Sequence, residues 1–166
     1  MSFIDFITVF TGAATMIAAT VAVVELKATA KQYNDDKLHD KRKDTLDAYN
    51  VLQAEVFDKL YIEYTPSKIK KIAEHYKEPE YSHDYHVLGT LLARIEHFCV
   101  GVNTEVYDWK TVYELSHGFF DKTVQYRIAP LIERKEGFFG TDPYENTKRV
   151  FEKMEAETRR REHTSV

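Results

Sequence analysis

The pattern of hydrophobic and polar positions divides the chain into an apolar beginning and a charged remainder. Phe6–Val24 is a run of nineteen residues without a charged side chain, bounded by Asp5 and Glu25. At about 1.5 Å per residue, a helix over this run is roughly 28 Å long, close to the ~30 Å hydrocarbon core of a bilayer. The pattern therefore predicts a transmembrane helix over residues 1–25.

A cleaved signal peptide and a buried core helix are the two alternatives to a membrane span. The residues before the run include Asp5 but no Lys or Arg, and the one A-x-A sequence, Ala28–Ala30, lies beyond Glu25. A signal peptide has a basic start and a small-residue cleavage site directly after a shorter apolar stretch. Apolar runs of about 10–14 residues are more typical of buried helices. Both comparisons favour the span.

One face of the apolar run carries small residues. They are spaced alternately by four and three positions, so a helix places them on one side: Thr8, Gly12, Thr15, Ala19 and Ala22. Small side chains let membrane helices approach closely, which predicts self-association into a homo-oligomer. The sequence leaves open whether this face is a dry helix-packing seam, the lining of a pore, or only a weakly hydrophobic anchor.

The basic residues near the span predict its orientation. None precedes the run, whereas a cluster follows it: Lys27, Lys31, Lys37, Lys41, Arg42 and Lys43. Positive residues stay on the cytoplasmic side, so the C-terminal part is expected in the cytoplasm, below a single-pass anchor in the plasma membrane. The lone Cys99 excludes an intrachain disulfide, in agreement with that compartment.

The remainder of the chain predicts an all-α fold. Residues 26–44 are polar and helix-permissive, which predicts a solvated helical stalk, and residues 45–163 are predicted to form a cytoplasmic helical domain. Apolar residues recur at helical spacing in a first stripe of Leu46, Tyr49, Leu52, Val56 and Leu60. The most regular stripe predicts a central core helix through Leu88, Leu91, Leu92, Ile95, Phe98, Cys99 and Val102. Asp108 is predicted to cap a helix that begins at Trp109. A capping box at Asp142–Glu145 predicts the start of the last helix.

Candidate chemistry in the domain is sparse. The net charge is −4, and the sequence has neither a Gly-rich phosphate loop nor a Cys-x-x-Cys pair, so it predicts no cofactor and no metal centre. His83-x-x-His86 is interpreted as part of a solvated loop. Arg94, Glu96 and His97 are interpreted as a polar network that orients the central helix, with acid–base catalysis as the alternative.

The C-terminal basic cluster is the other candidate. Arg159, Arg160 and Arg161 can stabilise the end of a helix, or they can contact RNA phosphates or anionic lipid. Arg159 and His163 are four apart and thus share one helical face, so together they can bind a phosphodiester and move a proton. They are the weak catalytic candidates, and cleavage of RNA would need a second copy or another base nearby.

The stretch from Leu91 to Met154 resembles a helical domain of small bacterial proteins with one N-terminal membrane helix. The matching residues are Arg94-x-Glu96-x-Phe98, Gly101–Tyr107, Pro130-x-Ile132 with Arg134, and Tyr144–Phe151. Together with the span, the chain resembles the membrane accessory proteins of type VI-B CRISPR systems. The resemblance implies an antiviral partner of an RNA-guided RNA-targeting nuclease, a ring-shaped membrane pore that disrupts membrane potential, and a HEPN-like helical domain.

The Arg–His pairs of the sequence depart from this family in one respect. A HEPN motif has Arg or Asn, then four to six residues, then His. Only three residues separate Arg159 from His163, and two separate Arg94 from His97. This spacing disfavours ribonuclease activity but leaves the membrane interpretation unchanged. A membrane-tethered HEPN-like RNase or RNA-binding module and a membrane scaffold remain the alternative functions.

Overall fold

The structure is a computed structural model that describes the backbone of residues 3–116, 120–133 and 143–164. It describes the side chains of the same residues except 3–20, 121 and 122. Every regular element in the described residues is helical, and these residues contain no strand, which confirms the all-α prediction. The chain forms two compact units, Met1–Asp40 and Lys41–Val166. The predicted division into span, stalk and domain stays a prediction.

Nine helical elements follow one another in the described residues. They are α1 (Phe3–Leu52), a first π-helical turn (Gln53–Phe57), α2 (Asp58–Glu63), α3 (Pro66–His75), α4 (Pro79–Asn103), α5 (Trp109–Ser116), a second π-helical turn (Phe120–Val124), α6 (Gln125–Ile132) and α7 (Glu145–Thr164).

The core of the second unit is built around α4. This helix packs against α3 and α7, and α3 in turn packs against α6. The predicted central stripe is confirmed, because all seven of its residues are buried: Leu88, Leu91, Leu92, Ile95, Phe98, Cys99 and Val102. Burial of these side chains is the main favourable contribution to folding, at about 25 cal/mol per Å² of apolar surface.

The first predicted stripe is confirmed except at Leu46, which is 40% exposed. Thr45 takes the inward position instead and is fully buried. It lies one helical turn before Tyr49, and its hydroxyl accepts a hydrogen bond of 2.8 Å from the Asp108 backbone N–H. A polar contact far away in sequence thus decides which side of α1 faces the core.

The helix ends have local causes. The Thr65 hydroxyl accepts from the Lys68 N–H at 3.2 Å and caps α3, with Pro66 at its first position. The Asp108 carboxylate accepts from the Thr111 N–H at 2.9 Å, which confirms the expected cap of α5. Beyond the end of α4, Glu105 has a φ of 60°, a left-handed conformation that turns the chain away from the helix axis.

The π-helical turns lie next to each other in the core. Phe57 ends the first and Phe120 begins the second, and their rings meet edge to face with centroids 5.5 Å apart. Leu52, Val56 and Leu60 are four residues apart, so in a regular α-helix each would drift by about 40° around the axis. The extra residue of a π turn cancels this drift, and all three are buried.

Candidate functional site

The small-residue face of the predicted span falls largely on residues whose side chains lie outside the described part. Thr8, Gly12, Thr15 and Ala19 belong to the helical backbone of α1, and Ala22 is exposed. Across the part of the chain that could be searched, no helix combines the length and apolarity needed to cross a membrane. Because residues 6–20 of the run lie outside the described side chains, the transmembrane helix stays a prediction.

The C-terminal arginines lie at the exposed end of α7. Two of them bind one carboxylate: Arg160 Nη2 and Arg161 Nε each donate to Glu157 Oε1 at 2.9 Å. The pKa of Glu157 is lowered, mainly by the hydrogen bond from Arg161 and further by the one from Arg160. The guanidinium of Arg161 also lies 4.3 Å from the centre of the Tyr113 ring. This geometry favours the interpretation that the cluster stabilises the helix end.

Arg159 and His163 are both exposed and lie one turn apart on α7. Neither has a hydrogen bond or ion pair to another described side chain. The structure therefore places the two weak catalytic candidates on one solvent-facing surface, without a second base from another helix beside them in the described residues.

His83 and His86 lie within α4, so the prediction of a solvated loop is wrong. The Asp84 carboxylate between them is occupied by other partners. It accepts from Tyr64 Oη at 3.0 Å and pairs with Lys68 Nζ at 3.0 Å. Burial opposes ionisation of Asp84, but these hydrogen bonds and the Lys68 charge prevail and lower its pKa. No group of three or more His, Cys, Asp or Glu side chains arranged to hold a metal is found in the described residues.

The structure separates the predicted polar trio of α4. Arg94 forms an ion pair with Glu55, and His97 is exposed on the same side of α4. Glu96 points to another side, toward the start of α7. The three residues therefore do not form the single predicted network. Arg94 and Glu96 bind different partners and have different roles.

The Glu96 carboxylate caps α7 from a different helix. One oxygen accepts from the Asn146 N–H at 3.1 Å and from its side-chain amide at 2.8 Å. The other accepts from the Thr147 N–H at 2.9 Å and its hydroxyl at 2.7 Å. Negative charge at a helix N-terminus is favourable because the first N–H groups lack intrahelical partners. Glu96 therefore fixes the start of α7 against α4.

Two neighbours of Glu96 extend this contact. Asn103 Nδ2 donates to Asn146 at 3.0 Å, and Cys99 lies beside Thr147 in the core. Burial strongly raises the pKa of the Cys99 thiol. Cys99 therefore has the properties of a packing residue and not those of a reactive thiol.

An apolar groove of about 630 Å³ opens on the Arg94 side of α4. Its residues come from α1, the first π-helical turn, α4 and the segment after α4: Asp47, Ala48, Val51, Leu52, Glu55, Val56, Thr90, Ala93, Arg94, His97, Phe98 and Tyr107. Its volume lies within the range of ligand pockets, about 300–1,000 Å³. Sequence reasoning missed this groove, although Arg94 and His97 on its rim were both candidates.

Tyr107 forms one end of the groove and is held there by two contacts. Its ring stacks on Phe98 with centroids 5.1 Å apart and an interplanar angle of 24°. Its N–H donates to the Gly101 carbonyl at 3.0 Å. A Cβ atom on Gly101 would overlap the Tyr107 ring. The absence of a side chain at Gly101 therefore makes the close approach of Tyr107 possible.

We compared the chain with protein-family models, with curated proteins and with solved structures, and found no match. What the chain does is therefore inferred from its own residues and from the resemblance described above.

Proposed function

We propose that the protein is a membrane-anchored antiviral accessory effector that assembles into a pore-like ring and perturbs membrane potential. The observation that carries the proposal is the uncharged run Phe6–Val24, which is long enough to cross a bilayer as a helix. The backbone of α1 is helical from Phe3 onward. The small-residue face of the run supplies the contact surface between copies.

The rest of the proposal follows from the resemblance to type VI-B accessory proteins. In that view the second unit lies in the cytoplasm and works with an RNA-guided RNA-targeting nuclease. The packed core around α4 supports a stable folded body there. The pairing of Arg160 and Arg161 with Glu157 supports a structural role for the basic cluster, and thereby a non-enzymatic effector.

The first test compares two leucine substitutions in the run. Gly12→Leu places a bulky side chain on the small-residue face, whereas Ala13→Leu adds a similar volume about 100° away. Gly12→Leu should retain membrane anchoring but lose the discrete oligomer, measured by native mass in detergent. Ala13→Leu should retain both. A wild-type protein that is a monodisperse monomer would contradict the ring.

The second test measures membrane potential in bacteria that carry the nuclease, a matching guide and an infecting phage. A voltage-sensitive dye should report depolarisation with the wild type and with Ala13→Leu, but not with Gly12→Leu at equal expression. The same cells test the RNase alternative. Arg159→Ala combined with His163→Ala should leave depolarisation, protection and RNA integrity unchanged, and loss of RNA cleavage in that variant would favour the alternative.

A further inference from the structure

The apolar groove has two walls that run in opposite directions. At one end, Tyr49 of α1 meets Phe98 of α4 with ring centroids 6.2 Å apart. At the other end, Glu55 pairs with Arg94. Residue numbers thus rise along α1 while they fall along α4, so the two helices lie antiparallel on either side of the groove.

The two walls carry opposite charges. Asp47 and Glu55 lie on the α1 wall, whereas Arg94 lies on the α4 wall, one turn before the polar side chain of His97. Both members of the Arg94–Glu55 pair are about half exposed, at 50% and 51%, so the pair is accessible to a further charged partner. An exposed pair of this kind contributes only about 0–1 kcal/mol by itself, which leaves its charges available for binding.

Exposed apolar surface lies between and beside these charges. Val51 is 56% exposed on the α1 wall, and Val100, one turn beyond His97 on α4, is 37% exposed. Ala93 adds a small exposed side chain. An apolar strip bordered by opposite charges has the composition of an interface, with an apolar centre and a polar rim.

We propose that the groove binds the groove of a second copy of this chain, face to face, around a two-fold axis parallel to α1. Such an axis places the acidic wall of each copy over the basic wall of the other. Glu55 then lies opposite Arg94 of the other copy, and Asp47 faces the end that carries His97. A two-fold axis uses one surface twice, so the surface must be complementary to itself. The acidic and basic walls of the groove meet this condition.

The direction of this axis is compatible with the membrane anchor of the proposed function, on which this step rests. A two-fold contact closes at two copies, so it is separate from the contacts that build the ring. Because the axis is parallel to α1, the two copies of α1 run in the same direction. Because neither copy is reversed, both chains can be anchored in one membrane. An axis perpendicular to α1 would place acidic wall on acidic wall and would reverse one copy.

The first experiment separates contacts between chains from the pair within one chain. Full-length R94E has acidic residues on both walls, and full-length E55R has basic residues on both. Each variant alone has like charges within the chain and between copies. When the two are co-expressed, the charges within each chain still repel, but every contact between unlike chains is attractive. Only a dimer that uses this surface restores association in the mixture.

Cross-linking in native membranes gives the readout. One chain carries Val51→Cys and a differently tagged chain carries Val100→Cys, joined by a short bis-maleimide. The yield of cross-linked product should fall at least about tenfold when both chains carry R94E or both carry E55R. It should return to within about threefold of the original yield when one chain carries R94E and the other carries E55R. Val51→Cys with Glu152→Cys on α7 is the matched control and should give little product.

Two results would overturn the inference. One is a Val51–Val100 yield no higher than the Val51–Glu152 control. The other is a yield that the charge reversals leave unchanged. Failure of the proposed function is visible separately. If carbonate extracts the protein from membranes but the groove still cross-links, the membrane anchor is refuted and the dimer is not. Loss of the cross-link with the detergent oligomer intact refutes only the groove dimer.

Discussion

Removing the Glu96 carboxylate should destabilise the second unit by breaking its attachment to α7. Glu96→Ala deletes the acceptor of four hydrogen bonds, at 3.1, 2.8, 2.9 and 2.7 Å. Asn146 is partly exposed and can bind water instead, but Thr147 is only 1% exposed. The Thr147 N–H therefore loses its acceptor in the core, and the Thr147 hydroxyl keeps only the Cys99 sulfur, a weak acceptor.

The expected cost follows from those two groups. A buried polar group without a partner costs about 1–3 kcal/mol, so Glu96→Ala should lower the free energy of unfolding by about 2–4 kcal/mol. For a chain of this size the melting temperature should fall by roughly 4–15 °C. Glu96→Gln keeps one acceptor oxygen but presents an amide NH₂ to the other donors, so its loss should be intermediate.

Thermal and urea unfolding of the full chain in detergent, followed by circular dichroism at 222 nm, measures this loss. The matched control is Glu114→Ala, which removes an exposed glutamate 3.9 Å from Lys110 and should cost less than about 1 kcal/mol. Hydrogen exchange should locate the effect at the start of α7. A Glu96→Ala protein within about 0.5 kcal/mol of the wild type would refute the reasoning.

Three further outcomes are expected. Gly101→Ala should destabilise the protein by about 1–3 kcal/mol and displace the Tyr107 ring, which near-ultraviolet circular dichroism would detect. The control Gly89→Ala should have neither effect, because no other side chain lies within 4 Å of its Cβ position. The pKa of Asp108 is lowered: burial opposes ionisation, but the Thr111 hydrogen bonds and the Arg42 charge outweigh it. Its contribution to stability is therefore present above pH ~4 and lost as pH falls through the lowered value, so the stability difference between wild type and Asp108→Asn should shrink in acid. The fully buried Cys99 should resist thiol reagents until the chain unfolds, and rapid labelling of the native protein would show that α4 is packed differently.

The sequence predicted the central helix because the apolar spacing of α4 follows the helical repeat closely. It also predicted the cap at Asp108, because capping by Asp is a local interaction. The capping box at Asp142–Glu145 stays a prediction, because Asp142 lies outside the described residues. Within the described residues, Glu96 accepts from the first N–H groups of α7. Glu96 is fifty residues away from its partners, and no local pattern indicates a contact of that range. One signal was present: Glu96, Cys99 and Asn103 share a face of α4.

The groove was not predictable for a related reason. The spacing of Arg94 and His97 predicts neighbours on one helix, but the opposite wall belongs to α1, about forty residues earlier in the chain. Its position depends on Thr45 binding the Asp108 backbone, which turns Leu46 toward solvent. Periodicity identifies the faces of a helix. It does not show which two helices leave a space between them.

The first π-helical turn has a consequence for how the chain tolerates changes in length. The Gln53–Phe57 segment contains one residue more than a regular helix would use to connect the same two flanks. Deleting the exposed Ala54 should therefore convert the turn to α-helix and leave the orientations of Leu52 and Leu60 nearly unchanged, with the same far-ultraviolet spectrum. A deletion of one residue at Asn50, within the regular part of α1, would rotate everything after it by about 100°. This segment is thus a place in the domain where a single codon can be lost without changing the register of the fold.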